Sequence, residues 1–384
     1  SDKIIESAVE QNVEISVITK KFTKIYNEDM AKLNVLAPDV QPKATEYIPE
    51  MIDLIKELIE KDFAYEKDGH VLFHVPTYEN YGKLSNRIKD EQIAGSRVDV
   101  VDFKKDPADF VLWKPSTGVQ PGWESPWGIG RPGWHTECSA MSEKTLGLPL
   151  DIHGGGRDLI FPHHENEIAQ SCCTAAENSN PESYAKYWMH NGFVTIDGEK
   201  MSKSLGNIIL VNELTQKYHG EVIRLALLST HYRQALDWND NVIHQAKKLL
   251  DKLYSLLNEL NDVKESKEPD NDLIEILLDD LNTPGLMANI NKLLKNAESL
   301  EEGDKPNLKS NLLLIGKLMG ILEDKSYNQI SSEFKDKVDN LIEDRSNAKK
   351  KRDFELADKI RSELIDLGVE INDSPEGTTW KVVK

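Results

Sequence analysis

Apolar residues fall at helical spacing from the start of the chain, where Ile4, Ile5, Ala8 and Val9 mark one face of a first helix. A second amphipathic helix is predicted from about Thr45 to Asp62. Thr45 is placed to cap it, Pro49 fits its first turn, and Ile48, Met51, Ile52, Ile55, Leu58 and Ile59 form its stripe. Phe63 to Phe73 changes to strand chemistry around Asp68-Gly69, a two-residue hairpin signal. Between Pro76 and Gly133 the periodicity weakens while Gly, Pro and Lys accumulate, which predicts an irregular insertion that returns at Arg131-Pro132-Gly133. Leu148 to Ile152 reads as a buried strand, and the three glycines after His153 let backbone approach a neighbour closely. Pro162 opens a helix running through His163 and Gln170 toward Ala176. Tyr187 to Ile196 is another strand, and Asp197-Gly198 turns it into a lysine-rich loop.

Beyond Asn207 the pattern is almost wholly helical. Segments are predicted at Val211 to Tyr218, Glu221 to Ser229, Asn241 to Leu260, Asn271 to Leu281, Pro284 to Ala297, Lys309 to Leu322, Glu333 to Lys349 and Asp353 to Leu367. Polar breaks at Asn261 to Asp270 and Glu301 to Pro306 separate them, as in a helical bundle. The last helix is expected to bury Phe354, Ala357, Ile360, Leu364 and Leu367 and to stop at Gly368, before an extended tail, Val369 to Val383, that carries Trp380.

At 384 residues the chain exceeds one core and predicts several domains. Three cysteines, Cys138, Cys172 and Cys173, make no disulfide framework and point to a reducing, cytoplasmic setting. No apolar run is long enough to span a bilayer, and the first residues form neither a signal nor a transit segment, so no membrane partner is expected. A net charge of −19 argues against indiscriminate nucleic-acid binding. It leaves room for a local basic surface: Arg345, Lys349, Lys350, Lys351, Arg352, Lys359 and Arg361 outnumber Asp353, Glu355 and Asp358.

The loop Lys200-Met201-Ser202-Lys203-Ser204, closed by Gly206 and Asn207, holds two ammonium groups close enough to gather polyphosphate charge. Alone it reads more readily as a solvated turn, and the blocks upstream shift that balance. Cys138 offers a thiol, His163 an imidazole, and Glu167 a carboxylate one helical turn beyond His163, a donor set suited to zinc with an open position. Their spacing along the chain is not a regular ligand motif, and His164 is a competing ligand or a neighbour of one. Cys172 and Cys173 read as packing residues.

Four blocks in order carry a resemblance: Gly133-Trp134-His135-Thr136-Glu137-Cys138-Ser139-Ala140-Met141, Asp151 to Leu159 around His153-Gly154-Gly155-Gly156, Phe161 to Gln170 around His163-His164-Glu165-Asn166-Glu167, and Lys200 to Asn207. They resemble the cysteinyl-tRNA synthetases, class I aminoacyl-tRNA synthetases, and the likeness runs on to Gly377-Thr378-Thr379-Trp380. The resemblance implies an α/β, Rossmann-like catalytic core followed by an α-helical bundle and a small C-terminal module. Its parts would be the core at 1–46, a connective insertion at 47–130, the second part of the core at 131–200, the lysine loop and stem-contact helices at 201–240, the tRNA-binding bundle at 241–328 and an anticodon-binding module at 329–384. It further implies formation of cysteinyl-adenylate from cysteine and ATP with Mg2+, then transfer of cysteine to tRNA(Cys), by a monomer with one Zn2+ per chain. Cys138, His163 and Glu167 would hold the metal, while Trp134, His153 and Asp158 line the amino-acid pocket. Lys203, supported by Lys200, would stabilise charge on the ATP phosphates, with Met201, Ser202 and Ser204 completing the loop. Arg345, Lys349, Lys350, Lys351 and Arg352 are expected to face tRNA, and Trp380 either stacks on a base or packs beneath the tail.

Zinc also has a rationale in substrate choice. Serine differs from cysteine by one atom, and a shape-based pocket separates such a pair by only about 1 to 3 kcal/mol. Thiolate coordination adds a term that a hydroxyl cannot match.

The resemblance implies two elements before residue 1: a cysteine supplying a fourth zinc ligand, and a His-x-Gly-His loop that binds ATP. Neither occurs here, since every cysteine lies at or after Cys138. The expectation is a core incomplete at its N-terminus, whether as a trimmed fragment, a numbering that starts late or a natural variant. Were the segment missing, zinc would bind weakly and adenylate would form slowly. Two other readings stand beside the ligase. One joins cysteine to an amino sugar on the same core, a reading opposed by the long basic C-terminal region. The other is a non-catalytic tRNA-binding protein or fragment derived from the synthetase.

Overall fold

The computed structural model describes residues 2–87, 103–118, 120–175, 180–202, 205–266, 269–297, 299–327, 332–374 and 377–382. The helix Asp2–Glu10 packs on a longer one, Ile15–Lys32, and the pair buries Ile5, Ala8 and Ile18 while Val9, expected inside, is exposed. Periodicity did not reveal Ile15–Lys32, because Ile18 and Asp29 are its only buried residues and so it has no apolar stripe. The next helix is Ile48–Glu60, with Met51, Leu54, Ile55 and Leu58 buried and Ile52 and Ile59 partly so. Thr45 does not cap it. It lies in a 3-10 turn, Ala44–Glu46, and Tyr47 takes the cap position without a side-chain bond.

Strands β1 (Ala64–Lys67) and β2 (His70–Phe73) form the expected hairpin, with Asp68 and Gly69 both left-handed at φ 54° and 75°. The insertion is more regular than its composition suggests. β3 (Phe110–Pro115) and β4 (Gly130–Pro132) extend the hairpin into a four-stranded antiparallel sheet in the order β1-β2-β3-β4. A register shift between Val71 and Leu72, opposite the buried run Leu112-Trp113, spoils the alternation that would have marked β3.

β5 (Leu150–Gly156) and β6 (Ala185–Asn191) are parallel and are joined through the helix Glu165–Thr174. β7 (Val194–Ile196) pairs antiparallel with β8 (Glu199–Lys200) and parallel with β9 (Leu236–Trp238), through the helix Gly220–Leu227. These are the strand–helix–strand units of a Rossmann-like core. The single strand predicted from Tyr187 to Ile196 is thus two, in different sheets, broken at Gly192-Phe193. Ala176 lies outside the described residues.

One hydrophobic core joins the helix Ile48–Glu60 to β1, β2, β3, β5 and β6 and to the helices Trp134–Leu146 and Glu165–Thr174. A second joins Gly220–Leu227 and β9 to the helices Asp240–Glu259, Asp272–Leu278, Thr283–Ala297 and Lys305–Met319. A third, small core sits between the helices Ser332–Lys350 and Phe354–Asp366 and the hairpin β10 (Val369–Ser374) and β11 (Gly377–Val382). Phe354, expected inside it, is exposed: it begins its helix beside the Asp353 cap and precedes the buried stripe of Ala357, Ile360 and Leu364.

The second core is pinned by two buried or half-buried charges. Arg224 donates to the carbonyls of Leu33, Asn34 and Met319, satisfying the C-terminal ends of two helices. Glu221 is 1% exposed and accepts from the backbone N–H groups of Leu322, Glu323 and Asp324 and from the Tyr254 hydroxyl. Glu221→Ala strands all of these donors, and a stability loss of about 3 kcal/mol is expected. A thermal unfolding midpoint equal to that of the unaltered chain would refute it.

Candidate metal and amino-acid site

The site is built where the helix Trp134–Leu146 leaves the sheet. Gly133 is required there: its N–H donates to Leu112 O at 2.7 Å, and an added Cβ would lie 2.0 Å from Val111 O. The helix then presents Trp134, His135 and Cys138 over its first turns. A turn, Ile160–His164, feeds the helix Glu165–Thr174, and every residue from His163 to Cys173 is buried. β5 adds His153 from its middle.

The ligand atoms of Cys138, His163 and Glu167 all lie within 4.8 Å of one another. His163 Nε2 stands 3.0 Å from Glu167 Oε1, and His153 Nε2 stands 2.9 Å from Oε2. Yet both carboxylate oxygens are buried and neither accepts a well-directed hydrogen bond. Polar atoms that crowd together without being aimed at one another suit a shared cation, and thiol, imidazole and carboxylate are a donor set for a divalent metal. His164 belongs to a second, overlapping triple with His153 and Glu167, away from Cys138.

Burial, helped by the Glu167 carboxylate, pushes the Cys138 thiol up to about 12, so without a cation it stays protonated. Burial would raise Glu167 too, but the imidazoles of His153 and His163 hold it below the ordinary carboxylate range. Burial depresses His135 to about 3 and His164 to about 4, which keeps both rings neutral. His135 Nδ1 lies 2.7 Å from His163 Nδ1, and His164 Nδ1 lies 2.8 Å from His190 Nε2. The Trp134 ring, 59% exposed, covers His163 with centroids 4.4 Å apart. Asp158 is exposed in the turn that follows β5.

His135 and His190 were not singled out from sequence, although five of the ten histidines, His135, His153, His163, His164 and His190, gather here. Glu165 and Asn166 lie in the same block, and their spacing along the chain does not show what they touch. Glu165 accepts from Gly82 N and Ser85 N at 3.0 and 2.7 Å, and Asn166 accepts from the Tyr81 hydroxyl at 2.5 Å, so both tie the segment after β2 to the site helix.

The lysine loop leaves from β8. Lys200 Nζ lies 5.8 Å from the Phe193 ring centroid, and Asn207 clasps the loop base by donating to Lys200 O and accepting from Ser202 N. Met201 is half-buried, and Lys203 and Ser204 lie outside the described residues. In the C-terminal module Arg345 is buried and makes a bidentate pair with Asp373 of β10, at 2.9 Å for each bond, while Lys349 reaches the same carboxylate at 2.8 Å. Both cations hold the hairpin to its helix. Lys350, Lys351 and Arg352 are exposed. Trp380 packs against the third core and donates Nε1–H to Asp339 at 2.8 Å, the packing alternative of the two expected for it.

Residues 1–248 match the family described as "tRNA synthetases class I (C) catalytic domain". The chain is 53% identical to the cysteine–tRNA ligase of Parvibaculum lavamentivorans, over 99% of this chain and 83% of the relative. It is 48% identical to that of Saccharophagus degradans, over 99% and 84%. Among solved structures, a methionyl-tRNA synthetase of Mycobacterium tuberculosis in complex with methionyl-adenylate superposes with a TM-score of 0.52 at 15% identity, over 83% of this chain and 79% of that one, a likeness of fold. With residues 1–248 matching that catalytic domain and about half of its sequence shared with such ligases along nearly its whole length, the chain belongs to the cysteinyl-tRNA synthetase family.

Proposed function

We propose that this chain activates cysteine with ATP to cysteinyl-adenylate, releasing pyrophosphate, and then transfers cysteine to tRNA(Cys), releasing AMP. The observation that carries the reading is the convergence of Cys138, His163 and Glu167 beneath the exposed Trp134 ring. One zinc ion held by these three would supply a soft Lewis-acid site for the substrate thiolate. Trp134 and His153 wall the amino-acid pocket, and Asp158 is the polar residue beside it. Lys200, Met201, Ser202, Lys203 and Ser204 form the loop that meets ATP and its Mg2+, with Lys203 facing the charge that builds on the phosphates.

The bundle and C-terminal module hold the tRNA body, with Lys350, Lys351 and Arg352 as its phosphate contacts. Arg345 and Lys349 act through Asp373 by setting the module's shape, and Trp380 by filling it. The protein works as a cytoplasmic monomer, a setting supported by its three free cysteines. No described helix is long and apolar enough to cross a membrane. Cysteine-dependent exchange of pyrophosphate into ATP, followed by charging of total tRNA with cysteine, tests the reading. A zinc-loaded chain that does neither would overturn it.

A further inference from the structure

Besides the shared core, the bundle meets the loop before β9 through one carboxylate on an unusual turn. Asp280 and Leu281, between the helices Asp272–Leu278 and Thr283–Ala297, both have left-handed backbone, with φ 52° and 55°. Two non-glycine residues in that region in succession persist only where the surroundings hold them there. Here the surroundings are three consecutive residues from the loop between the helix Gly220–Leu227 and β9. His231 Nε2 lies 2.9 Å from Asp280 O, the Tyr232 hydroxyl donates to Oδ1 at 2.7 Å, and Arg233 donates Nε–H to Oδ2 at 2.6 Å and Nη2–H to Oδ1 at 3.0 Å.

The same loop grips the other side. Tyr232 O accepts from Gly192 N at 2.6 Å, and Gly192 has no room for a side chain, since a Cβ would lie 2.1 Å from Gln234 O. Gly192 directly follows β6, the strand that carries His190 against His164 beside the metal cluster. The loop is therefore a strap across the C-terminal end of a parallel strand, where open α/β sheets place their ligands.

We infer that Asp280 and Tyr232 are positioning residues for transfer to tRNA: through the strap they set the bundle that carries the tRNA body in register with the strand end that carries the aminoacyl site. Neither touches a reactant, and the inference rests on the function proposed above. Activation needs only cysteine, ATP and the site, so it does not depend on this register. Delivery of the tRNA end to the adenylate does.

Asp280→Asn keeps the side-chain size and a residue at ease in left-handed backbone while removing the charge. Cysteine-dependent pyrophosphate exchange should stay within about twofold of the unaltered chain, while kcat/KM for tRNA charging falls about tenfold or more. Tyr232→Phe, which removes one hydroxyl, should show the same split with a smaller drop, and it decides the matter alone if the first variant does not fold. Equal falls in both activities, or tRNA charging unchanged in both variants, would overturn the inference and leave the functional reading standing. An unaltered chain that neither activates cysteine nor charges tRNA would overturn the functional reading, and this inference with it.

Discussion

Cys138→Ser is expected to yield a folded protein that retains about a tenth or less of the zinc of the unaltered chain and activates cysteine about a thousandfold more slowly. The reason lies in the donor set. Of the three groups that converge, only Cys138 is soft, and a serine hydroxyl in the same place is a harder and far less acidic donor. His163 and Glu167 would then face each other with a neutral hydroxyl between them, and the crowding around the carboxylate would resolve as ordinary hydrogen bonds. Zinc content, measured by atomic absorption on the dialysed variant, reads the loss without relying on activity. Stoichiometric zinc together with normal activation would remove Cys138 from the site.

Lys203→Ala should slow adenylate formation by about 10²- to 10³-fold, the usual cost of removing one preorganised donor to developing charge, with cysteine affinity little changed. Asn207 donates to Lys200 O and accepts from Ser202 N, which ties the described residues at the two ends of the loop to one another. Single-turnover adenylate formation, measured with saturating cysteine and ATP, separates chemistry from binding. A rate equal to that of the unaltered chain would transfer the role to another cation, Lys200 being the nearest in sequence.

How far the sequence could be read tracks how locally each feature is encoded. The Asp68-Gly69 hairpin and the helices Asp240–Glu259 and Thr283–Ala297 follow from turn chemistry and apolar stripes, and they stand close to where those signals put them. Ile15–Lys32 was missed because it buries almost nothing, and β3 because its buried run has no alternation to notice. Of the donor set, His163 and Glu167 could be placed together by helical spacing, whereas the approach of Cys138 is a product of packing between two helices that no local pattern records. Arg345, expected to face tRNA, is buried on Asp373, a partner that comes from a hairpin beyond the next helix and that no local pattern records.

Cys172 and Cys173 are buried in the helix Glu165–Thr174, where burial raises both thiols, while Cys138 remains partly open to solvent. Cys138 is raised in the same way, so all three sulfurs are poor nucleophiles at neutral pH, yet of the three only Cys138 can be reached by an alkylating reagent; slow labelling there that added zinc blocks would report the arrival of the ion.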